Sequence, residues 1–300
     1  MKYFDRYLNY VAAAFMAAAI GITATSVMGQ VAAGKENSKA EKAEKSEYKE
    51  RSFCSNNNWS DDGRVSLNEL RVVNVTSTGT VNVDAGKNGG ISVRGDDRSD
   101  VQVSACIQAW GKSAEDAKSA LASIKIGTSG EIKADGPSDG NWSVSYQIAV
   151  PRQTNLSLTA HNGGISINGT DGTAEFQTQN GGVNVSNVAG NVKGRTQNGG
   201  VNVSLSGTSW KGSGLDVETT NGGVNITLPE NYAAHVETGT VNGGYKSDIP
   251  SLNVTTENIV GESYNRRRPT RVVTNLNGGG APIRVITTNG GVKINTPDKD

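Results

Sequence analysis

From Leu156 onward, apolar and polar residues alternate in short runs, and a fixed tripeptide separates the runs in pairs. Take the sixth, fourth and second positions before Asn162, Asn180, Asn198, Asn221 and Asn289. They read Leu156, Leu158, Ala160; Ala174, Phe176, Thr178; Val192, Gly194, Thr196; Leu215, Val217, Thr219; and Ile283, Val285, Thr287. The third and fifth positions after each Asn are Val or Ile, as in Val183 and Val185 or Val224 and Ile226. A period of two predicts half-buried strands on both sides of the tripeptide. The step between the two runs is odd, so one unbroken strand would put them on opposite faces. The Asn-Gly-Gly must therefore turn the chain and reset its phase. Glycine's access to positive φ and asparagine's tolerance of the left-handed region suit such a corner.

The tripeptide begins at Asn88, Asn162, Asn180, Asn198, Asn221, Asn242, Asn277 and Asn289, with steps of 18, 18, 23 and 21 residues between Asn162 and Asn242. A repeat of this length predicts an all-β fold, a parallel β-helix or solenoid with about 18–23 residues per coil. Copy would lie on copy, Asn over Asn, with amides bonded along the column. Asn-Gly is also a hairpin signal, so an antiparallel meander is the rival. The threonines at 178, 196, 219 and 287 share the phase of Val217 and Val285, which makes them core residues rather than an outward ice-binding row.

Residues 53–152 carry more varied signals. Leu70–Val75, Thr80–Val83, Ile91–Val93 and Val101–Ala105 read as strands, the second as a repeat that has lost its Asn-Gly-Gly. Trp142–Val150 is a longer alternating strand stopped by Pro151. One short helix is expected near the N-terminal end, over 113–124: Ser113 caps it, Glu115 and Asp116 occupy its first turn, and Ala117, Leu121 and Ile124 share a face. It either caps the open end of the stack or lies on the surface.

Residues 1–29 have the form of an export signal. Lys2 and Arg6 precede the short apolar run Val11–Ile22, and small residues stand before Gln30. The run is too short and Ala-rich for a strong membrane span, so no integral membrane segment is expected after cleavage. Residues 30–52 form a charged linker whose Lys/Glu-rich stretch cannot bury a core. The solenoid would then comprise a β-rich part at 53–152 and the repeats at 153–300. With 29 acidic and 29 basic residues the net charge is zero, which argues against nucleic acid or an anionic membrane as partner. Cys54 and Cys106 are the two cysteines, a candidate disulfide in an exported chain and too few for structural zinc.

Between Asn242 and Asn277 the spacing grows to 35 residues. The insertion holds Tyr264, Arg266, Arg267, Arg268 and Arg271, a candidate loop for gripping an anionic glycan or phosphate. Charge of this kind also serves simply to guard an edge. Catalysis is not expected. Glu175 and Glu218 fall at outward positions two coils apart with Arg195 between them, on the order of 10 Å from each other. That is loose for paired-carboxylate chemistry. His161 and His235 have no nucleophile motif beside them, calcium-binding spacing is absent, and no cofactor or metal is implied.

The run Val150-Pro151-Arg152, Asn162-Gly163-Gly164-Ile165-Ser166-Ile167, Gly172, and Thr178-Gln179-Asn180-Gly181-Gly182-Val183-Asn184-Val185, preceded by Ala114-Glu115-Asp116-Ala117, resembles the bacterial DUF4097 family. The likeness spans roughly residues 68–296. It implies an exported β-solenoid of the cell envelope, carrying an adhesin label that itself rests on architecture, and it implies no catalytic residues. The partner is then unknown in identity, a glycan or an envelope protein. A periplasmic scaffold or sensor acting through a protein is the alternative, and a polysaccharide-active enzyme comes third.

Overall fold

The computed structural model describes residues 53–54, 63–253 and 270–297. The expected export signal, the charged linker, Tyr264, Arg266, Arg267 and Arg268 lie outside them. Within them the fold is almost entirely β. The strands before Asn162 are β1 (Val65–Thr76), β2 (Thr80–Asp84), β3 (Ile91–Asp96), β4 (Asp100–Gly111), β5 (Lys125–Gly127), β6 (Glu131–Asp135), β7 (Trp142–Pro151) and β8 (Asn155–Ala160). The repeats supply β9 (Ile165–Asn168), β10 (Thr173–Asn180), β11 (Val183–Ser186), β12 (Asn191–Asn198), β13 (Val201–Ser204), β14 (Gly214–Asn221) and β15 (Val224–Thr227). The C-terminal part adds β16 (Ala234–Asn242), β17 (Tyr245–Ser247), β18 (Thr270–Leu276), β19 (Pro282–Asn289) and β20 (Val292–Asn295).

They form two ten-stranded sheets. The first runs β1-β4-β7-β3-β9-β11-β13-β15-β20-β17 and the second β18-β16-β19-β14-β12-β10-β8-β2-β6-β5. In each repeat the strand before the corner belongs to the second sheet and the strand after it to the first, so each corner carries the chain between sheets. Such a pair of strands is one rung. Successive rungs pair in parallel and in constant register: Val192 lies between Ala174 and Leu215, and Val201 between Val183 and Val224. The inward residues of both sheets make one core, in which Val183, Val201, Val217 and Val285 are wholly buried. Each such side chain contributes about 1.5–3 kcal/mol by leaving water. Antiparallel pairing is confined to the two ends, in β1-β4-β7, β5-β6 and β16-β18.

The order of rungs departs from the expectation that each lies on the one before it in sequence. At the N-terminal end β2–β3 is laid down first. Later segments then cover it on both sides, β6–β7 on one and β8–β9 on the other. At the C-terminal end β19–β20, last in sequence, lies between β14–β15 and β16–β17. Thr80–Asp84 is not a repeat without its corner. It is the strand leading to Asn88, with Val81 beside Leu156, and the turn at Gly86 (φ 65°) lengthens the approach.

The corners also hold for a different reason than expected. The asparagines that form them do not adopt positive φ; among the described non-glycine residues only Asn187 and Asn277 do. What the corner demands of its first glycine is space. A Cβ on Gly181 would lie 2.1 Å from the Gly163 carbonyl oxygen, and one on Gly199 2.0 Å from that of Gly181. The second glycine is less confined, with 3.4 Å between a Gly200 Cβ and the Gly223 oxygen. The inward threonines use the same close approach: Thr178 Oγ1 donates to Gly163 O at 2.7 Å and Thr196 Oγ1 to Gly181 O at 2.8 Å, so these buried hydroxyls are satisfied by the neighbouring corner.

The helix α1 (Ala114–Ser123) is capped by Ser113, whose hydroxyl accepts from the Asp116 N–H at 3.1 Å, and it buries Ala117 and Leu121. Arg71 of β1 donates to the carbonyls of Leu121 and Ile124 at its C-terminal end, where the helix dipole favours a cation. A disulfide joins Cys54 to Cys106 of β4, with 5.3 Å between Cα atoms.

Candidate functional site

The corner asparagines form one continuous ladder. Nδ2 of Asn162 donates to Oδ1 of Asn88 at 3.0 Å, and Asn180, Asn198 and Asn221 each donate to the previous corner at 2.8 Å. Asn289 then donates to Asn221 and Asn242 to Asn289, both at 2.8 Å. The ladder thus follows the spatial order of the rungs, not the sequence. Asn277 is a correction to the expected set. It sits in the turn between β18 and β19 with φ 46°, and its amide donates to the carbonyls of Glu230 and Tyr232.

The outer face of the second sheet carries the charged side chains of the repeats. Alternation turns the fifth and third residues before each corner outward, and the constant register lines them up. The first row reads Ser157, Glu175, Lys193, Asp216, Arg284, Glu237 across adjacent strands. The second reads Thr159, Gln177, Arg195, Glu218, Ile286, Gly239. From Glu175 to Glu237 the sign of charge alternates at every strand, which holds only because β19 is inserted. Without it Asp216 and Glu237 would be neighbours. Arg284 lies 2.5 Å from Asp216, 3.5 Å from Glu218 and 3.6 Å from Glu237, and these carboxylates raise its pKa against the opposing effect of burial. The first sheet differs: its outward positions in the repeats are mostly Asn and Ser, with Thr227 and Lys293 among the exceptions, and Asn202 donates to Asn184 at 2.8 Å.

Over β8, β10, β12 and β14 the second sheet's face forms an open trough of about 490 Å³. Glu175, Gln177, Lys193 and Arg195 stand along it, and Phe176 and Gly194 lie at its floor. Arg195 donates to Gln177 Oε1 at 3.2 Å. Glu175 and Glu218 face the same trough, on non-adjacent strands and in different rows. Among the described residues no three His, Cys, Asp or Glu side chains group as metal ligands. His235 Nδ1 lies 2.7 Å from Asn275 Oδ1, and His161 is exposed in the row nearest the corners.

Of the candidate loop, Arg271 alone falls among the described residues. It is in β18, exposed, and paired with Glu237 at 2.9 Å. Its charge is shared with that carboxylate on the face of the sheet. Lys193, Asp216, Arg284 and Glu237 were missing from the sequence reading. Comparing the fifth position before each corner would have found them.

No family model matches this chain, and neither does any curated protein. Similar solved structures include a "putative cell adhesion protein" from Clostridium sporogenes (13% identity, 77% of this chain and 100% of that chain, TM-score 0.40). Others are a "putative adhesin" from Bacteroides fragilis (14%, 76% and 97%, TM-score 0.26) and a "putative lipid binding protein" from Parabacteroides distasonis (9%, 77% and 97%, TM-score 0.25). At such TM-scores none of these likenesses bears on what this chain does.

Proposed function

We propose that this chain is an exported, non-enzymatic β-solenoid of the bacterial envelope that binds an extended polar polymer, a glycan, along the outer face of its second sheet. One observation carries the reading. Charged and amide side chains stand in straight rows, one per strand, over a trough that is open along its length. Strands lie about 4.8 Å apart, so each row offers evenly spaced hydrogen-bonding groups to a chain lying across them. Individually weak contacts then add through multivalency. Glu175, Lys193 and Arg195 are the residues we assign to the contact.

Export rests on the form of residues 1–29, and no helix among the described residues is long and apolar enough to cross a membrane. The second reading is a periplasmic scaffold that engages a protein. Val241 and Val273, exposed at the C-terminal end of the molecule, favour it.

Binding to a panel of wall and capsule polysaccharides, compared between the wild type and a Lys193→Ala/Arg195→Ala variant, tests the site. The reading predicts binding by the wild type and at least about a tenfold loss in the variant, roughly 1.4 kcal/mol. Equal binding by both would move the site elsewhere. Protease added to intact and to opened cells tests the location: cleavage only after opening would support the periplasmic reading.

A further inference from the structure

Every corner is an Asn-Gly peptide, in which the main-chain nitrogen of the glycine lies one residue from a side-chain amide carbon. Whether the two can meet depends on what holds them. From Asn180 to Asn289, in the middle of the ladder, both groups are held. Asn180 donates to Asn162 and accepts from Asn198, both at 2.8 Å, while the Gly181 N–H donates to the Asn198 carbonyl at 3.0 Å. Asn198, Asn221 and Asn289 repeat this arrangement: the amide is bonded on both sides, and the glycine N–H donates to the next corner at 2.9–3.0 Å.

Asn242 is the last corner, because β16–β17 is the last rung. Its Nδ2 donates to Asn289 at 2.8 Å. Among the described residues nothing donates to its Oδ1 and nothing accepts from the Gly243 N–H. Asn242, Gly243 and Gly244 are all exposed. The other exceptional corners are better held. The Asn162 amide is bonded on both sides, at 3.0 and 2.8 Å, although among the described residues nothing accepts from the Gly163 N–H. Gly89 N–H donates to the Asn162 carbonyl at 3.2 Å, and the Asn277 amide is fixed by two carbonyls at 2.8 and 3.0 Å.

We propose that the Asn242–Gly243 peptide is a modification site of the folded protein, at which Asn242 deamidates. The Gly243 nitrogen loses its proton to water and bonds to Asn242 Cγ. The Cγ–Nδ2 bond breaks and ammonia leaves, giving a five-membered imide. Water then adds to either imide carbonyl and opens the ring to aspartate or isoaspartate. The net change is one water consumed and one ammonia released. The ladder suppresses this step at its interior corners by holding nucleophile and electrophile apart, the reverse of the positioning that speeds intramolecular attack. A carboxylate at 242 has no N–H to give Asn289, so the last ladder bond is lost, and a negative charge appears on an exposed edge where it opposes strand addition by another chain.

The test is peptide mapping by mass spectrometry after the intact protein has aged in mildly alkaline buffer, with a sample aged in denaturant as control. The expected result is acid at Asn242 forming roughly tenfold or more faster than at Asn180, Asn198, Asn221 and Asn289 in the folded protein. In denaturant all five should convert at similar rates. Interior corners converting as fast as Asn242 while folded would overturn the proposal. So would an unconverted Asn242 in folded protein at a time when the denatured sample has reacted fully.

Discussion

The Phe176 ring occupies the volume that a side chain on Gly194 would need: a Cβ built on Gly194 falls 1.9 Å from Phe176 Cε2. The two residues are register partners on β10 and β12, and the ring is buried at 5% exposure. A large and a small residue thus share one site on the inner face of the second sheet.

Gly194→Ala therefore destabilises the protein by about 1–3 kcal/mol through overpacking. Phe176→Leu should be less harmful in that background than in the wild type, because the smaller side chain leaves room for the new methyl group. A double-mutant cycle by chemical denaturation measures the coupling, and simple additivity would show that the two do not compete for space.

The two glycines of a corner are expected to differ sharply. Gly199→Ala drives a methyl group into a backbone carbonyl and costs at least about 3 kcal/mol. Gly200→Ala, in ordinary contact at 3.4 Å, stays within about 1 kcal/mol of wild type. Thermal unfolding of the pair decides this, with equal losses speaking against the steric account.

Arg284→Gln leaves Asp216, Glu218 and Glu237 without their shared cation. The loss is modest, about 1 kcal/mol, since these side chains are partly exposed. The informative readout is salt. Added salt should raise the melting temperature of the variant by screening carboxylate repulsion and lower that of the wild type by weakening attraction. Parallel responses would mean that the charge alternation has no energetic weight.

Two pH effects follow from burial and pairing. Burial disfavours the charged form of Asp84, but the Lys133 ammonium at 2.5 Å and the Gly86 N–H outweigh it and hold the carboxyl below its ordinary 3.8. The stability this contributes is complete above that pH and is lost as pH falls through the lowered value. Asp84→Asn should show a shallower decline in acid-induced unfolding.

At the other extreme, burial pushes the Tyr232 phenol up to about 12 and raises those of Tyr146 and Tyr245 further. A raised pKa means stability fully present below 10 and lost as pH climbs toward the folded value. Absorbance titration of phenolate should show these three ionising late or together with unfolding. Their titration near 10 in folded protein would contradict the burial.

Much of the fold was legible because the inward positions repeat without ambiguity: Leu215, Val217 and Thr219 announce one face, and Ser113 announces a helix start. The order of the rungs was hidden for the same reason. Both Val236 and Ile283 match Leu215, and both Asn242 and Asn289 match Asn221, so the apolar and amide pattern permits β16 or β19 beside β14. Only the outward charges discriminate, since Asp216 accepts Arg284 as a neighbour and repels Glu237. The cause of the corner glycines was equally invisible, as a sequence does not distinguish a need for positive φ from a carbonyl 2.0 Å away. The charged rows of the second sheet, on which the proposed binding rests, stayed unread because they run across the chain, through residues that are far apart in sequence.

The insertion of β19–β20 between β14–β15 and β16–β17 also bears on how the molecule is made. A chain emerging from its N-terminal end delivers β16–β17 before the rung that must separate it from β14–β15. Until residues 282–295 arrive, Glu237 can only wait or settle against Asp216 in a register that has to be undone. A premature stop after Asn253 would consequently remove an internal layer of the stack rather than a tail. In this molecule the closing residues of the repeat region act as a keystone, and a shortened copy is betrayed by an acidic gap that nothing earlier in the chain can fill.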